Sequence, residues 1–154
     1  MTQIENQFSM RPLSADELTT LRIIAGQMIP ANVDMNLPGA DDDTIFHDLA
    51  SSLERATEKV RQAIMVLHET HDGFVQSSPS VRRSMLTAFR AAYPALAAVF
   101  EMVIAQCYYR DDRVMRAIGM EPRPPFPLGF ELAPGNFALL DPVRSRGRKY
   151  RDAS

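Results

Sequence analysis

Six of the eleven prolines crowd into the last third of the chain, at Pro122, Pro124, Pro125, Pro127, Pro134 and Pro142. Proline fixes φ and lacks a backbone donor, so this stretch reads as neither a helix nor a central strand. Nor is it composed like a solvated tail. Phe126, Leu128, Phe130, Leu132, Phe137, Leu139, Leu140 and Val143 run through it, and disordered segments are usually poor in such residues. A proline-stiffened apolar segment needs a surface to cover, on this protein's own helices or on a partner. The expected organisation is a flexible N-terminal arm over 1–13, a helical bundle over 14–119 and an extended arm over 120–154.

A chain of 154 residues is most simply one domain. Its net charge of −2 gives no global attraction to nucleic acid or to an anionic membrane. The C-terminal cluster Arg144, Arg146, Arg148, Lys149 and Arg151 is accompanied by a single aromatic, Tyr150. That composition fits a solvated end, or ion pairs with an acidic partner, better than nucleic acid. The N-terminus lacks a basic region followed by an apolar one, so no signal peptide is read. The most apolar stretch, 91–105, is interrupted by Pro94 and Glu101 and falls short of the roughly 20 residues a membrane helix needs.

The bundle itself reads as helix after helix. Ser14 and Glu17 match a capping box, and Leu18, Leu21, Ile24, Ala25 and Met28 follow at helical spacing up to Pro30. A second helix is expected over 44–70, with the stripe Ile45, Leu49, Leu53, Ala56, Val60, Ile64 and Leu67. Ser78 and Pro79 open a third. Its stripe is Met85, Phe89, Tyr93, Leu96, Phe100, Val103 and Cys107, with a kink or break at Pro94. A short helix over 112–118 should stop at Gly119. The fold class is therefore all-α, a small helical bundle with a long Pro-rich extended C-terminal arm.

Chemistry-bearing constellations are sparse. Asp41, Asp42 and Asp43 sit where a helix begins, which favours capping and the helix dipole over a cation site. His68 and His71 lack the HExxH spacing and any further ligand, and read as a polar helix end. Cys107 continues the core stripe; a catalytic thiolate would need a basic partner, and none is evident from sequence. No glycine-rich phosphate loop, GxGxxG, GxSxG or CxxC is present. No catalytic, cofactor-binding or metal-binding residue is assigned.

Several segments taken in order carry a resemblance. They are "LRIIAGQMIP", then "LPGADDD", then "YPALAAVFEMVIAQCYYRDDRVMRAIGMEPRPPFPLGF", then "APGNFALLDPV". Over about residues 14–147 the chain resembles the gluconate 2-dehydrogenase subunit 3 family. Those are small helical subunits of heteromeric sugar and alcohol dehydrogenases whose large, FAD-dependent partner is similar to glucose–methanol–choline oxidoreductases. The resemblance implies a noncatalytic, chaperone-like subunit that clasps and stabilises the large one, with FAD held by that partner and none in this chain. It leaves open a cytochrome or other electron acceptor. Many members carry a twin-arginine signal; none is seen here, so the expected compartment is the cytoplasm, or the periplasm if such a signal was removed. The alternative is a free-standing helical adaptor with no flavoprotein partner. The expected partner-binding residues are Tyr108, Tyr109, Arg110, Asp112, Phe126, Phe130 and Phe137. For the phenylalanines the competing role is packing on the chain's own bundle; for the others it is core packing or helix capping.

Overall fold

The computed structural model describes residues 11–124, 126, 127, 129 and 135–147, the Arg55 side chain excepted. They are all-α, with one isolated antiparallel bridge between Asn32 and Leu37. The chain divides into two compact units, Met1–Pro122 and Arg123–Ser154.

Local chemistry starts the helices where expected. Helix α1 spans Ala15–Met28, and its capping box is complete: Glu17 N–H donates to Ser14 Oγ at 3.2 Å while Glu17 Oε2 accepts from Ser14 N–H at 2.7 Å. Its last turn closes with Ile29 N–H on the Ala25 carbonyl, directly before Pro30, because a residue ahead of proline is steered out of the α region. Helix α2 spans Asp43–Ser52 with Asp42 as N-cap. Helix α4, Pro79–Ala92, starts on Ser78 with Pro79 in its first turn. The short α6, Asp112–Ala117, is capped by Asp111. It gives way at Ile118 to Gly119, whose φ of +79° suits glycine.

The expected 44–70 helix is instead two. After α2 the chain passes through a 3-10 turn, Glu54–Ala56, and resumes as α3, Thr57–Thr70. The break occurs without glycine or proline: Glu54 takes a φ of +34°, and Thr57 Oγ1 donates to the Glu54 carbonyl at 2.8 Å. The reason is tertiary. One straight helix of that length would run about 40 Å, whereas α2 and α3 both pack against α5, Pro94–Tyr108, which is only 15 residues long. The break leaves the stripe in phase, so Ile45, Leu49, Leu53, Val60, Ile64 and Leu67 are all buried.

The Pro94 break is as expected and large: α4 and α5 bend by 120° between Ala92 and Pro94. Tyr93 is thereby a turn residue rather than a core one, with its ring exposed and 5.4 Å from that of Phe89. Phe89 reaches across to Phe100, ring centroids 6.1 Å apart, and both are buried. Helix α5 packs against α1, α2, α3 and α4 and forms the centre of the bundle. No single described helix is long and apolar enough to cross a membrane.

Of the N-terminal segment expected to be a flexible arm, residues 1–10 lie outside the described residues. Residues 11–13 are held. Leu13 is buried, and Arg61 on α3 donates to the carbonyls of Arg11 at 2.6 Å and Pro12 at 3.2 Å. Arg61 also pairs with Glu17 at 3.1 Å, so one guanidinium joins α3 to the capping box of α1. Burial alone would raise the Glu17 carboxyl; its hydrogen bonds to Ser14 and the Arg61 charge more than offset that and hold it below the usual range.

In the second unit the expectation of a helix-free arm is corrected. Phe137–Leu140 form a 3-10 turn that leads into a one-turn helix α7, Asp141–Arg144. Pro142 lies in the first turn of α7, where its missing N–H would have had no helical acceptor, so proline there favours rather than forbids a helix start.

Truncating Phe89 to alanine should cost about 3–5 kcal/mol of stability, because a fully buried aromatic leaves a cavity. Met102→Ala, at a half-exposed position of α5, should stay within about 0.5 kcal/mol. Urea denaturation of the two variants checks both figures.

Candidate partner-binding surface

The segments "LPGADDD" and "YYRDD" are about 65 residues apart in sequence and meet at one corner of the bundle. Three pairings join them to each other and to α2. Tyr108 is buried, and its hydroxyl donates to the Pro38 carbonyl at 3.1 Å. Burial, then the nearby Tyr109 and Asp111, push the Tyr108 phenol up from its ordinary value. Arg110 pairs with Asp48 of α2 at 2.5 Å. Arg113 bridges two helix caps, reaching Asp42 at 2.7 Å and Asp111 at 3.0 Å.

The Arg113 bridge acts on groups already committed to backbone. Asp42 accepts from the N–H groups of Thr44 at 3.0 Å and Ile45 at 3.4 Å. Asp111 does the same for Arg113 at 2.9 Å and Val114 at 3.4 Å. Each carboxylate therefore meets helix N–H groups and a guanidinium together. Hydrogen bonding from Arg113 is the main cause that holds both carboxyls below the usual range, and the same contacts raise Arg113 itself. Close packing of the loop needs glycine: a Cβ on Gly39 would collide with the Asp41 carboxylate and lie 3.0 Å from the Ala31 nitrogen.

Before α2 the chain makes a tight loop. Asn32 and Leu37 exchange backbone hydrogen bonds at 2.9 Å, Asn32 Oδ1 accepts from Met35 N–H at 3.1 Å, and Asn36 takes a φ of +52°. Asparagine tolerates that region better than most side chains. The loop pushes Val33 and Met35 into solvent, 91% and 55% exposed. Between it and Arg113, Arg116 and Ala117 of α6 runs a groove of about 650 Å³. Ile118 and Met120, which follow α6, are also exposed. Apolar side chains this open, flanked by arginines, are the composition of a protein-contact surface.

The sequence-derived candidates fare differently. Tyr108 takes its core alternative. Tyr109 is 56% exposed and stands edge-on to Tyr108 with centroids 5.3 Å apart, so it is available for contact. Arg110 and Asp112 are exposed but already ion-paired, the latter with Arg116 at 3.0 Å. Phe126 and Phe137 belong to the second unit and are exposed; Phe130 lies outside the described residues. Arg113, Val33 and Met35 were not singled out from sequence. A lone arginine has no periodic signature, and Val33 and Met35 fall in a segment with no helical stripe.

Two other sequence expectations meet the geometry here. Cys107 is buried but does have a basic neighbour: Arg110 Nη2 lies 3.6 Å from Sγ, and Ser52 Oγ 3.2 Å from it. That guanidinium is engaged by Asp48, so the cluster reads as a packed polar seam between α2 and α5. His68 Nε2 meets Thr20 Oγ1 at 3.0 Å and His71 Nδ1 meets Thr70 Oγ1 at 2.9 Å, so the two histidines face separate partners. Among the described residues no group of His, Cys, Asp and Glu converges on a metal-sized site.

Because Asp42 and Asp111 titrate lower when folded than when unfolded, their contribution is complete above the unfolded carboxylate value of about 4. It is lost as pH falls through the folded values. Arg113→Met should cost about 1–2 kcal/mol at neutral pH, moderated by the half-exposed guanidinium. It should also flatten the acid limb of the stability curve below about pH 4. Thermal melts of wild type and variant between neutral pH and the acid limb check both. In comparisons of this chain with protein-family models, with curated proteins and with solved structures, no match was found.

Proposed function

We propose that this chain is a noncatalytic small subunit that binds and stabilises a large FAD-dependent oxidoreductase of the glucose–methanol–choline type. Sugars, sugar acids, polyols or glycosides would be the substrates of that complex. The single observation that supports the reading most is that the two most specific segments of the resemblance converge. "LPGADDD" and "YYRDD" are joined through Tyr108 to Pro38 and through Arg113 to Asp42. The same corner presents Val33, Met35 and Tyr109 to solvent. Such a corner is a rigid platform: its backbone is fixed by caps and ion pairs, while its apolar side chains stay unspent. The flavin, the substrate specificity and the acid–base chemistry belong to the large subunit on this reading.

The exposed Phe126, Phe137, Leu139 and Val143 of the second unit supply further apolar anchors. Prolines near them lower the entropy lost when a segment orders against a partner.

Tagged protein drawn from its native host should retain a second, larger chain, and the eluate should show flavin absorbance. Deleting 120–154 should weaken that capture. The double change Val33→Asp with Met35→Asp should weaken it by about tenfold or more, the loss of one anchoring contact of about 1.4 kcal/mol. A colourless, stable monomer with no flavoprotein attached would favour the free-standing adaptor instead.

A further inference from the structure

We propose that the pocket between α1, α4 and α5 is a binding site for a small carboxylic acid with an apolar body and a hydroxyl or N–H donor. It shares no residue with the partner-binding corner and stands independently of the subunit reading.

The pocket follows from the Tyr93–Pro94 break. Helix α4 turns back by 120° instead of continuing α5, and α5 meets the resulting gap with the small Ala97 beside Phe100 and Glu101. The gap measures about 400 Å³, inside the range of roughly 300–1,000 Å³ typical of small-molecule sites. Its floor is apolar and firm: Ile24, Phe89, Ala97 and Phe100 are all buried. The two phenylalanine rings are tilted by 38°, so they offer a face and an edge to a flat or chain-like apolar body.

Three polar features then select the ligand. Gln27 of α1 lines the pocket, and its side-chain oxygen lies buried with no hydrogen-bond donor among the described residues. A buried acceptor in that state calls for a donor. Arg83 of α4 stands at the rim, and among the described residues its guanidinium has no acidic partner. Arg90, about two helical turns further along the same helix, does have one: Glu101 of α5 at 3.1 Å. The mouth therefore carries two guanidiniums against one carboxylate, and the unspent charge is positive. A carboxylate on Arg83, an apolar body over Phe89 and Phe100, and a donor on Gln27 Oε1 satisfy every unmet group.

The test uses the full chain and three related probes in isothermal titration: 3-(4-hydroxyphenyl)propionate, 3-phenylpropionate and tyramine. The first should bind saturably, with a Kd of about 1 mM or tighter. The second lacks the donor and should bind about fivefold more weakly; the third lacks the carboxylate and should not bind measurably. Arg83→Gln, an exposed change that leaves the core alone, should weaken the first probe about fivefold or more. Gln27→Leu should abolish the difference between the first two probes. Ala97→Leu should block the floor and remove binding, with circular dichroism confirming the fold. No saturable binding by any probe overturns the proposal. So does tyramine binding as well as the acids, or binding of the first probe that both Arg83→Gln and Ala97→Leu leave unchanged.

Discussion

Helix α5 carries one charged residue, Glu101, in fifteen. A helix this apolar must bury most of its surface against other elements, and the strip Ala95, Ala98, Met102 and Gln106 is left to water. Here α1, α2, α3 and α4 do the enclosing. Phe100, Val103, Ile104 and Cys107 all come within a few per cent of complete burial as a result. Burying side chains of that kind contributes about 1.5–3 kcal/mol each, and together they exceed what a cap or a surface ion pair supplies. The remaining helices are short because their task is to wrap a core helix of only 15 residues.

That requirement explains the two sharp departures from regular helix. The 44–70 stretch breaks at Leu53–Ala56 so that both of its halves lie against α5. The chain turns at Tyr93 so that α4 returns over the same helix. The second turn has a further consequence. Where α4 departs, the helices no longer interdigitate fully, and a pocket with a buried aromatic floor remains. The pocket opens to solvent at its rim, beside the exposed Arg83 and Arg90, so it is a cleft that a small molecule can enter without displacing core side chains.

At the opposite end of α5, electrostatics does what apolar packing cannot. The loop 30–42 and helix α6 are too short to bury much surface, and they are tied down by polar contacts of defined direction. Tyr108 holds the Pro38 carbonyl, and Arg113 holds two capping aspartates. With the backbone fixed in that way, Val33, Met35 and Tyr109 remain exposed on a rigid frame. Rigid apolar groups are favourable docking points, because little conformational freedom is left to lose on binding.

How much of this was legible beforehand follows the range of each interaction. The capping box of Ser14 and Glu17, the Ser78–Pro79 start, the Asp42 cap and the Gly119 stop are contacts within a few residues. Their signatures are short motifs, and the sequence by itself determined them. The buried stripes were legible for the same reason: helical period places each core residue three or four positions from the next. Contacts between distant segments have no such signature. Nothing near Arg113 names Asp42 as its partner, nothing in the unbroken stripe announces the turn at Glu54, and Phe74, fully buried in a loop, belongs to no periodic pattern. Proline content even pointed the wrong way at Pro142, since position within the first turn decides whether proline ends a helix or begins one. Which helices exist, and which faces they bury, was set by local chemistry. Where they break, which charges meet and where a pocket opens was decided only when all of them had to close around α5.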